Sequence, residues 1–463
     1  MPRRGDSQRR APRRSRDPKG REAHTAVDAV QQITDSLQPS GPSWLEALPP
    51  CIAVALMMMA LGTMPYGAPV PAWYRMITVA LTVSLVISLC IDPVRRWRSL
   101  VLWPIPVILV AWSLSVATCD FPREVALRAN GLVWFSPAFV AAQVICWRTR
   151  ALKLLVVSIV LMMIVMAVDL WWQLGTTRSL IREIRAPEYK PDGSIKFMTL
   201  GSLGNQNDQA VTAILLPLCM SVVSSWWAWC LLLIGAIPTG YLAITGKSRQ
   251  LALGAVVALS SVTGLHARPK LRLWAVASLV VLSGAIFAAA PGVRERFANI
   301  ASNPLGDRGL PMVYGLDLFL HNPLFGVGPS LYGHYYVLGV REGWSLHGQP
   351  LLPVGTPWVH SLPIEIACEF GIVGLSAFGL IMWKCAGALR RGLRRPGPAR
   401  NMSVAVIGSA LSLTTVGLID LSFIKDWVCI VWWLVLGLGF AAPMIAGEQT
   451  ADSLATLSDS NGL

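Results

Sequence analysis

The chain has 463 residues, of which 54% are hydrophobic and only 14% charged, with a mean hydropathy of +0.54. That balance excludes an ordinary soluble domain and implies a polytopic membrane protein. A formal charge of +14 would suggest nucleic acid in a soluble protein, but here the basic residues must first be sorted by membrane side.

Residues 1–43 carry nine Lys or Arg within the first 21 positions and few large apolar side chains. They read as a disordered basic tail in the cytoplasm, in preference to a nucleic-acid-binding arm. The apolar run that follows is expected to be a first span, not a cleaved signal peptide, because more spans follow at once. A helix crosses the hydrocarbon core with about 20 mostly apolar residues. Such runs fall at 46–64, 72–91, 99–118, 129–147, 151–174, 208–225, 227–245, 250–266, 271–291, 361–385, 402–421 and 427–446. They predict an all-α protein of about 12 transmembrane helices, with a large, partly helical outer loop between helices 9 and 10. The expected organisation is the tail 1–43, a membrane domain 44–447 with outer loops 175–206 and 292–360, and a cytoplasmic C-terminal tail 448–463. The nine cysteines lie mostly in apolar runs without a Cys-x-x-Cys pair, so neither a disulfide nor a metal site is expected.

With the tail inside, the short inner loops carry Arg95-Arg96-Trp97-Arg98, Arg148-Thr149-Arg150, Arg268 to Arg272 and Arg390 to Arg395. This is the positive-inside bias. Orientation does not explain the basic residues on the other side. These are Arg178, Arg182, Arg185, Lys190 and Lys196 in the loop 175–206, Lys247 and Arg249 in a short turn, and Arg294, Arg296, Arg308 and Arg341 in the long loop. Together they can converge on an anionic group. Arg249 stands out, since a charge at a membrane edge between two apolar runs is costly and usually functional.

Before the sixth span, Leu200-Gly-Ser-Leu-Gly-Asn-Gln-Asn-Asp208 gathers amides that can bind a sugar through Asn205 and Asn207, or simply cap the helix. The long loop holds four of the six histidines. Its segment Pro311–Leu320 predicts a short amphipathic helix, stopped by Asn322-Pro323 and followed by a tight turn at Gly326-Val327-Gly328-Pro329. The N–H groups of Gly326 and Gly328 can approach a phosphate there, although a plain turn would use the same residues. His360 stands before the tenth span and can accept a proton at neutral pH. A lone histidine at such an edge is more often structural. Here Glu365 and Glu369 follow at a spacing of four, on one face of the span, where buried acids need partners. Asp169 and Asp420 also fall near the outer ends of their spans, as anchors or site residues alike.

Taken in order, these elements resemble the O-antigen ligase and polymerase superfamily of bacterial envelope glycosyltransferases. The resemblance rests on Gly204-Asn205-Gln206-Asn207 before a span, Ser248-Arg249 at a turn, Arg308 in a large loop, and Asn322-Pro-Leu-Phe-Gly-Val-Gly328. It is completed by His360-Ser-Leu-Pro-Ile-Glu-Ile-Ala-Cys-Glu-Phe-Gly-Ile-Val-Gly374 and covers roughly residues 200–380. The chain departs from the family pattern at Ser361, where an asparagine is usual, and at Phe370 before Gly371.

The resemblance implies a bacterial inner-membrane protein with its site facing the periplasm. It implies metal-independent transfer, without a cofactor, of a glycan from an undecaprenyl-diphosphate carrier to an acceptor hydroxyl. The acceptor is a lipid A core sugar in the ligase branch and a carrier-linked glycan in the polymerase branch. His360 would take the hydroxyl proton. Arg249 and Arg308 would stabilise the diphosphate, assisted by Arg182 or Arg185, and Asn205, Asn207, Gly326, Gly328 and Glu365 would contact substrate. The lipid bilayer is a partner and nucleic acid is not. The alternative from another class, a twelve-span secondary transporter, would show two related halves and a midplane site. No repeat is visible here, and polar groups gather at one face.

Overall fold

The structure is a computed structural model. It describes residues 100–122, 131–146, 149–176, 208–221, 226–245, 248–266, 306–353 and 357–445, two short strands at 188–189 and 195–196, and a few isolated positions. The expected tail 1–43, most of the first, second and ninth spans, most of the loop 175–206, the first part of the loop 292–360 and the C-terminal tail lie outside the described residues.

The described chain is mainly helical, in this order: α1 (Pro104–Thr118), α2 (Gly131–Trp134), α3 (Pro137–Cys146), α4 (Thr149–Thr176), α5 (Ala210–Leu215), α6 (Trp226–Thr245), α7 (Arg249–His266), α8 (Gly306–His321), α9 (Tyr332–Arg341), α10 (Leu362–Leu393), α11 (Pro398–Gly417) and α12 (Asp426–Ala441). Two short antiparallel strand pairs interrupt it. β1 (Glu188–Tyr189) pairs with β2 (Ile195–Lys196), and β3 (Ser345–Leu346) pairs with β4 (Gln349–Pro350). Helix-only reading missed these because two-residue strands leave no hydrophobic period.

Among the described residues, three segments are long and apolar enough to cross a membrane: Ala151–Thr176, Leu362–Leu393 and Asp426–Met444. Shorter apolar helices lie at Pro104–Thr118, Gly131–Cys146, Ala210–Met220 and Trp229–Thr245. Several expected spans have different bounds. The run 208–225 becomes the six-residue α5 and then a 3-10 turn over Leu216–Met220, where Pro217 removes a backbone donor. The run 402–421 ends its helix at Gly417, so Asp420 sits in a turn beyond it.

Small residues set the packing. α7 lies against α11, where Gly254 abuts Val416, Ser412 donates to the Gly254 carbonyl at 3.0 Å, and Gly408 abuts Val262. α12 lies against α2 and α3, where Gly437 meets the Phe139 backbone of α3 and Trp433 Nε1 donates to the Leu132 carbonyl of α2 at 2.7 Å. Close backbone approach of this kind is how helices associate where burial of apolar surface gives no drive.

The stretch from Gly306 to His360 builds a second, aromatic core from Tyr314, Leu318, Leu331, Tyr332, Tyr336 and Leu351. Each ring hydroxyl finds a carbonyl: Tyr314 to Tyr335 at 2.8 Å, Tyr332 to Pro311 at 2.8 Å and Tyr336 to Leu352 at 3.0 Å. A buried phenol needs such a partner. The expected amphipathic helix starts five residues early, as α8, and stops at His321 as the Asn322-Pro323 signal requires. Asn322 closes it, its side-chain amide donating to the Leu318 carbonyl at 3.2 Å.

α10 is broken at Gly371, whose φ of 63° lies in the left-handed region. The loop after α8 pairs with the break. Ile372 N donates to Pro323 O at 2.8 Å and Val373 N to Leu324 O at 3.2 Å. On the other side, Val327 N donates to Cys368 O at 2.8 Å and Gly328 N to Glu369 O at 3.2 Å. Irregular backbone near a membrane is tolerated only where protein satisfies its polar groups, and this pairing does so. A Cβ on Gly326 would overlap the Glu369 backbone, and one on Gly371 would overlap the Leu324 backbone.

Gly371→Ala is therefore expected to cost about 1–3 kcal/mol from the backbone conformation alone, and more from the displaced loop. Gly379→Ala in the same helix, with open space at its Cβ position, should be near neutral. Thermal unfolding of the purified variants in detergent checks the difference.

Candidate functional site

A buried carboxylate organises the site. Asp420 is 1% exposed and lies just past α11, in a turn closed by its own N–H donating to Val416 O at 3.1 Å. Its Oδ1 accepts a short hydrogen bond from His360 Nδ1. Its Oδ2 accepts from Gln250 Nε2 at 2.6 Å and pairs with Arg308 Nη2 at 3.3 Å. Four stretches of chain thus meet on one side chain: the start of α7, the first turn of α8, the segment before α10 and the turn after α11.

Local structure places each partner. Ser248 caps α7, its hydroxyl accepting from Leu251 N at 3.3 Å, which puts Arg249 and Gln250 in the first turn. Gln250 is buried, whereas Arg249 beside it is half-buried. His360 adopts a left-handed backbone with φ of 60°, uncommon for a residue with a side chain. Pro363 starts α10 three residues later. Such a conformation, held by surrounding structure, is typical of a functional position.

The turn bearing Asp420 is itself held. Glu365 accepts from the Ser422 hydroxyl at 2.9 Å and from Phe423 N at 3.0 and 3.1 Å. Lys425 donates to Asp208 Oδ1 at 2.8 Å, and its ammonium lies 5.1 Å from the Trp358 ring centre. Trp358 in turn packs on the His360 ring at 4.7 Å. The imidazole is thus fixed from one side by an aromatic face and from another by a carboxylate.

The electrostatics give the pair definite protonation states. Burial works against charge on Asp420, but the His360 bond and the charges of Lys425 and Arg308 overrule it and bring the carboxyl down to about 2. His360 is lowered from its ordinary 6.5, by burial first. The Asp420 bond opposes that fall, while the Arg308 and Lys425 charges add to it. An ionised carboxylate can only accept, so Nδ1 carries the proton and Nε2 keeps a free lone pair at neutral pH. The group can act as a base.

The expected site residues fall into three sets. His360 and Arg308 are brought together on Asp420, and Arg249 lies next to Gln250, which joins them. Gly326 and Gly328 have the positive φ of a tight turn, but their N–H groups are engaged by Asn322 O and Glu369 O, and Glu365 is taken up by the 422–423 turn. Of these, Gly328 N–H pairs a carbonyl that the break in α10 leaves without a helical partner. Arg182, Arg185, Asn205 and Asn207 lie outside the described residues. Gln250 was not singled out from the sequence, and Asp420 was noted without a partner. An acid at the end of an apolar run was the available signal for Asp420.

The family model described as O-antigen ligase matches residues 230–379. No curated protein matches the chain. The matched stretch contains Arg249, Arg308 and His360, whereas Asp420 and Lys425 lie beyond it. The match supports the O-antigen ligase superfamily for residues 230–379, in a chain whose described residues include three helices long and apolar enough to cross a membrane.

Proposed function

We propose that the protein transfers a glycan from an undecaprenyl-diphosphate carrier to an acceptor hydroxyl at the periplasmic face of the bacterial inner membrane. The observation that carries this reading is the meeting of His360 and Arg308 on buried Asp420. It puts a neutral, oriented imidazole within one side chain of a guanidinium, a base beside an anion-binding group.

In this mechanism His360 Nε2 takes the proton of the acceptor hydroxyl as its oxygen attacks the anomeric carbon. The bond from that carbon to the diphosphate oxygen breaks, and the leaving group keeps the bonding pair. Attack from the side opposite the leaving group inverts the centre. Asp420 holds the imidazole in the correct tautomer and stabilises the imidazolium that forms. Arg308 and Arg249 meet the charge growing on the diphosphate, where planar, permanently charged guanidinium groups make paired bonds. A well-placed donor of this kind contributes about 3–4 kcal/mol. Arg182, Arg185, Asn205 and Asn207 extend the contact to the donor head. No step requires a metal or cofactor.

The ligase reading, with a lipid A core sugar as acceptor, is the one adopted; polymerisation of carrier-linked units uses the same donor, base and arginines. An in vitro reaction of purified protein with carrier-linked glycan separates them. Product only when lipid A core is added supports ligation, and longer glycan from donor alone supports polymerisation. No product in either tube removes the transferase reading.

His360→Ala and Arg308→Ala should each lower transfer by about 10²–10⁴-fold while inserting normally, measured as turnover against membrane-extracted protein. Wild-type rates in both would remove the mechanism. The acid limb of kcat/KM should report the His360 base. Its folded value lies below 6.5, so activity is full at neutral pH and falls only as pH drops through that lower value. Asp420→Asn removes the negative charge that raises His360, so it should move the limb further down and lower the plateau by roughly 10²–10⁴-fold. An unmoved limb would make Asp420 merely structural.

A further inference from the structure

α8 buries one face, through Pro311, Tyr314, Gly315 and Leu318, in the aromatic core. Its opposite side is also apolar. Leu316 is 42% exposed, Leu320 72% and Leu324, just past the helix, 60%. A spacing of four puts Leu316 and Leu320 on one stripe of the helix. Single exposed leucines are ordinary, but a row of them on an extramembrane helix is not.

Where the row leads decides what covers it. Leu324 and Pro323 are hydrogen-bonded to Val373 and Ile372 in α10. Ile372 is itself 47% exposed, and Leu380, Met382 and Trp383 further along the same span are exposed too. From Gly371 to Leu393, α10 is about 33 Å long, close to the thickness of the hydrocarbon core of about 30 Å. Its far end carries Arg390, Arg391, Arg394 and Arg395. With those arginines at one headgroup layer, Ile372 falls at the opposite hydrocarbon boundary. The leucine row of α8 therefore continues the lipid-facing surface of α10 at that boundary. Polar groups border the row: Asp317 accepts from Trp344 Nε1 at 3.2 Å, and His321 is exposed. An apolar stripe with a polar margin is the pattern of a helix lying in a bilayer interface.

We propose that the Leu316–Leu320–Leu324 face of α8 is inserted among the acyl chains of the leaflet at the Gly371 end of α10. The helix is then a strut. One end rests in lipid, and Arg308, 12 residues or about 18 Å from Leu320, stands at the Asp420 cluster. Membrane contact thereby holds the guanidinium at a set depth, next to where a lipid-borne diphosphate would lie. This rests on the span assignment of α10, not on the chemistry at His360.

The test uses full-length Leu320→Cys carrying a bimane label in vesicles of phosphatidylethanolamine and phosphatidylglycerol, with acyl chains brominated either near the headgroup or near the methyl end. Glu342→Cys, at an exposed position after α9, and the unsubstituted chain are labelled alongside. The label at 320 should lose intensity roughly twofold or more in brominated vesicles, most with the shallow bromines, while the label at 342 does not. Equal, unquenched signals at both positions would overturn the proposal. So would an unquenched label at 320 that cross-links to a second copy, since the face would then be a protein interface. Quenching does not depend on turnover, so loss of the transferase reading would leave this result standing, and the reverse.

Discussion

A single buried carboxylate sets the terms for this molecule. Asp420 is buried, and a buried charge persists only when it is paired and hydrogen-bonded. Its three partners come from three other stretches of chain, so the cost of burying it is offset only when all three are in place. Removing a partner leaves charge behind; keeping all of them fixes the imidazole in one tautomer. The order of the site and the order of the surrounding helices are one requirement. Glu365 and Lys425 extend it by tying the Asp420 turn to α10 and to Asp208.

The second requirement is geometric. A span interrupted at Gly371 would expose backbone groups that neither lipid nor a neighbouring side chain can fully satisfy. The loop after α8 supplies them, and Glu369 adds its carboxylate to Ser330 N at 2.8 Å. The extramembrane lobe is therefore laced into a span instead of hanging from it. That explains how a long connection between helices can carry Arg308 to a defined place.

Much of this was legible in advance, for identifiable reasons. Long apolar runs mark α4, α10 and α12 because the bilayer fixes the length they need. Asn322-Pro323 stops α8 because proline cannot continue the ladder. His360 and Arg249 stood out because polar residues at a membrane edge need a reason to be there, and Arg308 through the order of elements in the long loop. The partner that His360 and Arg308 share did not. Asp420 is 60 residues from His360 and 170 from Gln250, and contacts at such separation leave no local period or spacing. The hydrogen-bond partners of the glycines were hidden for a related reason. A tight turn of N–H groups suits a phosphate, but it also suits a row of orphaned carbonyls, and only the break in α10 tells which is present. The end of α5 inside the run 208–225 was not legible, because hydropathy registers apolar length and not where a proline or a 3-10 turn ends the coil.

The lacing at Gly371 has a consequence for how such a chain can diverge. Gly326 lacks room for a methyl group because of the Glu369 backbone, and Gly371 lacks it because of the Leu324 backbone. Each position is small on account of the strand facing it, though 45 residues separate the two in sequence. A substitution at one cannot be accommodated by sliding the other, since moving either strand unzips the same bonds. The two glycine motifs are evolutionary hostages to each other, to be retained or abandoned as a unit.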